Sequence, residues 1–129
     1  MKRFAMIVAA AALLAGCQES IEERAAREAR EVTATKCPMP IADNMLLDSV
    51  VYDIATHTQS QYFSVFGALD DDSLFAQTDS RSLLIGELRN APSYRPLMER
   101  GSCFRYVYRS RSRNGHVLLD MTLTPQDYE

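Results

Sequence analysis

The sequence predicts an α+β fold: an N-terminal stalk helix, then a β-β-α-β-β order in which a helix covers one face of an antiparallel sheet. Three observations predict it. Two alternating runs, Cys103–Ser110 (CFRYVYRS) and Val117–Thr124 (VLLDMTLT), flank an Asn114-Gly115 turn and read as a hairpin. Two further apolar runs lie close together between residues 45 and 69 and read as a second strand pair. Between the pairs, an Asp79-Ser80 cap opens a stretch with helical spacing that runs to Asn90.

Taken in order, residues 18–36 (QESIEERAAREAREVTATK) contain no Gly or Pro. Ile21, Ala25, Ala29 and Val32 form a thin apolar stripe, and Glu/Arg pairs four residues apart support the helix by about 0.2–0.5 kcal/mol each. With so little to bury, it reads as a stalk; a docking helix is the functional alternative. Cys37-Pro38-Met39-Pro40 ends it, because two prolines forbid helical continuation. Met45–Ile54 is rich in aliphatic and β-branched residues and reads as a strand. Thr56–Ser60 is polar and turn-like. Gln61–Leu69 follows as a strand with Phe63, Val65 and Leu69 on one face and Tyr62 and Phe66 on the other. Asp70-Asp71-Asp72 lacks the ligand spacing and turn glycine of a calcium loop and reads as solvated. The helix from Asp79 is expected to bury Leu83, Leu84, Ile85 and Leu88, and Ala91-Pro92 breaks it. A short helical turn over Ser93–Arg100 places Tyr94, Leu97 and Met98 inward, with Gly101 suited to end it in the left-handed conformation.

The beginning of the chain bears on location. Lys2 and Arg3 precede an uninterrupted apolar run from Phe4 to Ala15, the layout of a secretory signal peptide and too short for a permanent membrane span. Leu14-Ala15-Gly16-Cys17 resembles the lipobox of bacterial lipoproteins. The resemblance implies cleavage after Gly16 and a diacylglyceryl thioether with acyl chains (palmitate class) on Cys17. Gln18, rather than Asp, at the next position resembles lipoproteins sent on to an outer membrane. The expected organisation is a signal peptide over 1–16, a lipidated N-terminus and helical stalk over 17–36, and a small α+β domain over 37–129. The expected location is the bacterial cell envelope, facing the periplasm. Without Lys2 and Arg3 the mature chain keeps 12 basic against 17 acidic residues, a formal charge of −5, which argues against nucleic acid as a partner.

Residues 37–129 are also similar to small bacterial envelope lipoproteins of unassigned function. The elements that carry the likeness are Cys37-Pro38, Gly101, Phe104-Tyr106-Tyr108 and the closing Thr124-Pro125-Gln126-Asp127-Tyr128. The likeness supports the layout and implies no activity.

Few residues invite chemistry. In an exported protein the two cysteines other than Cys17, Cys37 and Cys103, are expected to form a disulfide. His57 and His116 fall in turns without nearby metal ligands, and the serines occupy no nucleophile elbow. No catalytic residue, metal or cofactor is expected. Arg105, Arg109, Arg111 and Arg113 share one face if strand alternation continues through RYVYRSRSR, opposite Phe104, Tyr106 and Tyr108. A row of guanidiniums could hold phosphate or carboxylate in bidentate forks. The plainer reading is that Asp48, Asp53 and Asp120 neutralise it across the sheet. The sequence therefore points to a lipid-anchored envelope protein, attached to the membrane through Cys17, with a non-catalytic binding or structural domain for an envelope protein or anionic ligand. The alternative is a periplasmic inhibitor or immunity-type protein acting on an envelope enzyme.

Overall fold

The computed structural model describes residues 18–129; the leader, the lipobox and Cys17 lie outside them. Five strands form one sheet in the order β1 (Met39–Ala42), β2 (Met45–Asp53), β3 (Thr58–Val65), β4 (Cys103–Ser110) and β5 (His116–Leu123). Neighbouring strands are antiparallel except β3 and β4, which run parallel. The sheet is thus mixed where the sequence suggested a purely antiparallel one. The cause lies in the connection. The stretch from Phe66 to Ser102 folds into helices that carry the chain back along the sheet, and a crossover of a dozen or more residues permits a parallel return.

That crossover holds α2 (Asp72–Gln77), α3 (Ser80–Arg89) and α4 (Arg95–Glu99). The Asp70–Asp72 cluster has structural duties here. Asp71 caps α2, its side chain accepting from the Ser73 N–H, and Asp79 caps α3 through the Ser82 N–H. Gly101 adopts φ 76° after α4, and Asn114 and Gly115 take the positive φ values their turn requires.

The helices share one face of the sheet with Leu47, Phe63, Val65, Phe104, Tyr106, Tyr108 and Leu123, all buried in one cluster. Phe63 and Tyr108 stack at 4.5 Å, and Tyr128 meets Phe104 edge-on at 5.9 Å. Tyr128 belongs to α5 (Pro125–Tyr128), where the sequence suggested a trailing end. Thr124 and Asp127 form a reciprocal capping box, Pro125 occupies the first turn, and the Tyr128 hydroxyl donates to the Ser102 carbonyl at 2.9 Å.

The stalk reading of residues 17–36 gives way to packing. Helix α1 (Ile21–Thr35) lies along β2 and buries Ala26 and Ala29. The thin stripe is enough because alanines let the helix approach closely. At Leu47/Ser49, where a bulge shifts the β2–β3 register, the Thr33 hydroxyl sits 2.9 Å from both the Val50 N–H and the Val50 carbonyl. It accepts from the first and donates to the second.

Candidate functional site

The helical layer is uneven. Helix α1 covers β2, while α2, α3 and α5 gather over β5. Between them a groove of about 680 Å³ opens over the sheet. Ile21, Ala25 and Val32 of α1 form one wall, Tyr94 and Leu97 stand opposite, and Leu47 and Val50 reach it from β2. Its floor includes Gln59 and Gln61 of β3, which share parity with Phe63 and Val65 and so point to the helical side. Gln61 donates to the Tyr94 hydroxyl at 3.2 Å. Gln59 is 93% buried by its own residue surface, yet its amide makes no hydrogen bond among the described residues. Its amide keeps some accessible surface in the groove, where a partner's polar group can reach it.

A second cavity of about 310 Å³ lies under α2 and α3, lined by Met45, Leu69, Phe75, Leu84, Tyr108 and Leu119. Leu83, expected inward, is 60% exposed at its edge. Burial pushes the Tyr108 hydroxyl up to about 12, and it raises Tyr106 beside it as well.

The opposite sheet face is open and carries the arginines. Val107 is buried on it between Arg105 and Arg109, outside the helical-side cluster. Arg105 forks onto Asp120 across the β4–β5 pair, Nε to Oδ1 at 2.9 Å and Nη2 to Oδ2 at 2.7 Å. The Arg105 hydrogen bonds hold the Asp120 carboxyl below its usual range. So the plainer reading is what Arg105 does. Asp48 instead accepts from the Ser64 hydroxyl, and Asp53 from the Ala55 N–H. Strand β4 ends at Ser110, which breaks the expected row of four. Arg113 leaves the sheet in the turn and pairs with Asp72 at 2.8 Å. The remaining pair stacks on rings, Arg109 over Tyr62 and Arg111 over Phe66, each 5.3 Å from the ring centre.

The expected Cys37–Cys103 bridge does not form; both thiols are free. Cys37 precedes edge strand β1 and Cys103 opens β4, three strand spacings or about 14 Å apart across the sheet, where a disulfide tolerates about 7 Å between Cα atoms. Burial raises the Cys37 thiol pKa. Among the described residues no group of three or more His, Cys, Asp or Glu is placed to hold a metal, and no helix is long and apolar enough to cross a membrane.

A mixed five-stranded sheet, helices on one face and an open groove beside the first helix define a small two-layer α+β protein. The chain belongs to the family described as a domain of unknown function, DUF8479, which matches residues 20–119. No curated protein matches it. Its fold is similar to that of PA3611, a Pseudomonas aeruginosa protein inferred to be secreted, at TM-score 0.64 and 16% identity over 87% of this chain and 100% of that one. It is also similar to EpsS, the pilotin of the Vibrio vulnificus type 2 secretion system, at TM-score 0.59 and 13% identity over 84% and 91%. The type II secretion system pilotin AspS from Vibrio cholerae aligns at TM-score 0.58 and 15% identity over 82% and 90%. At such identities the likeness is one of fold.

Proposed function

We propose that this protein is a lipid-anchored envelope binding protein of the pilotin type, held at the outer membrane through Cys17. Its groove would take an amphipathic helical segment of an envelope protein of a type II secretion system. The observation that carries this reading is the open groove beside α1, walled by apolar side chains, with the Gln59 amide, unbonded among the described residues, on its floor. The groove is a gap in a layer of helices, and helices pack on helices and sheets at about 10 Å, so a helix is the shape that completes the layer. Apolar side chains of the occupant would meet Ile21, Val50 and Leu97, and one hydrogen-bonding side chain would meet Gln59. The volume lies within the roughly 300–1,000 Å³ of ligand clefts. The two pilotins with this fold favour the secretion-system setting.

Labelled peptides spanning the exported segments of the type II secretion proteins of the same organism provide the test. One peptide should bind and become helical on binding. Ala25→Trp, which fills the groove, and Gln59→Leu, which removes its hydrogen-bonding floor, should each weaken that peptide roughly tenfold or more while leaving circular dichroism unchanged. Failure of every peptide, or binding indifferent to both substitutions, would overturn the reading.

A further inference from the structure

The face opposite the groove carries two guanidiniums that the fold leaves uncommitted. The Arg111 N–H donates to the Val65 carbonyl at 2.9 Å, so the parallel ladder runs one residue past β4 and keeps Arg111 on the face of Arg109. Two residues along a strand separate them by about 7 Å. Tyr62 on β3 and Phe66 just past its end are four residues apart, about 13 Å in extended chain, and each arginine lies over one ring, so the two guanidiniums are splayed along the strand. A ring beneath a guanidinium occupies its flat side and fixes its plane, while the in-plane N–H groups stay free to donate. Among the described residues neither arginine has an ion-pair partner. The nearby carboxylates are hydrogen-bonded elsewhere, Asp120 by Arg105 and Asp48 by Ser64, and Arg109 acts on Asp120 only at longer range.

We propose that Arg109 and Arg111 bind the phosphates of anionic membrane-lipid headgroups, one headgroup to each guanidinium. A phosphate offers the two acceptor oxygens that one arginine fork needs, the prealigned planes spare much of the ordering cost, and two separated forks suit a surface that presents several headgroups. Charge complementarity favours a membrane over a soluble partner. The acidic chain as a whole is repelled by an anionic surface, and two ring-stacked arginines without ion-pair partners among the described residues on one open face make approach favourable from this side. Because the groove lies on the other side of the sheet, this contact turns the groove away from the bilayer and towards the aqueous space. The inference rests on the envelope placement proposed above and is independent of what fills the groove.

The test uses residues 17–129 with Cys17→Ser, so that no acyl chain holds the protein; these residues retain the whole core from Ala26 to Tyr128. Sedimentation with vesicles should show binding to phosphatidylcholine containing phosphatidylglycerol and none to phosphatidylcholine alone. R109Q/R111Q should weaken binding roughly tenfold or more. R113Q, which removes an already paired arginine, should stay within about twofold. R109K/R111K keeps the charge but loses the fork and should bind several-fold more weakly than wild type. Unfolding curves taken in parallel establish that each variant is folded. Indifference of the wild-type chain to phosphatidylglycerol, equal binding by R109Q/R111Q, or capture of inorganic phosphate without vesicle binding would each overturn the proposal. A chain that binds these vesicles but no peptide separates this inference from the groove reading, and the reverse result separates it the other way.

Discussion

Thr33 holds α1 to the sheet through two hydrogen bonds from one hydroxyl, both to the backbone of Val50 beside the β2 bulge. Thr33→Val preserves shape and strands both backbone groups, so it should cost about 1–3 kcal/mol in urea unfolding. A change near zero would mean that water replaces the hydroxyl. Tyr106 and Tyr108 make a second prediction. Their folded pKa values lie above the ordinary value of 10, Tyr108 at about 12, chiefly because burial disfavours the phenolate. The unfolded chain therefore releases these protons first as pH rises. Stability is fully present below pH 10 and falls above it, by up to about 1.4 kcal/mol per pH unit for each tyrosine. The part of the tyrosinate absorbance that disappears in Y106F/Y108F should rise together with loss of secondary structure, and its rise well before unfolding would contradict the burial of these hydroxyls.

At the scale of elements, α1 distinguishes a packed helix from a stalk. Ala29→Glu places a charge on the buried side of α1 and should lower stability by several kcal/mol, on the order of a strongly destabilising core change. Ala34→Glu on the exposed side should fall within about 0.5 kcal/mol. Equal, small effects would restore the stalk. The β4–β5 hairpin and α3 were legible in the sequence because alternation, an Asn-Gly turn and an Asp cap all agree there. Strand β1 was hidden by Pro38 and Pro40, which read as breakers, although an edge strand tolerates proline where its nitrogen faces outward. The direction of β4 relative to β3 depends on where the crossover helices dock, and no local pattern encodes that. The groove was hidden for a related reason. Thr58-Gln59-Ser60-Gln61 looks like a turn by composition, and only its shared parity with Phe63 and Val65 marks Gln59 as inward. The arginine strand was half legible: alternation placed Arg105 and Arg109, but the end of β4 and the stacking that sets Arg109 and Arg111 apart are properties of the assembled sheet.

For the whole molecule, location is testable directly. Cys17→Ser should abolish labelling of the protein by radioactive palmitate, leave an unlipidated precursor and stop retention in the outer-membrane fraction, since stable anchoring there needs the acyl chains. Unchanged fractionation would remove the anchor from the account. Both extremities of the described fold converge on one corner. Glu22, in the first turn of α1, pairs with Arg100 at 3.0 Å, while Tyr128 near the other extremity bonds to Met98 and Ser102. Arg89 holds the carbonyls of Tyr128 and Glu129 as well. The backbone is therefore close to a closed circuit. A short linker joining residue 129 to residue 18, with new ends opened at Asn114-Gly115, would leave every strand and helix intact. It would also shift any fused reporter to the β4–β5 turn, away from the corner where residues 18 and 129 are joined.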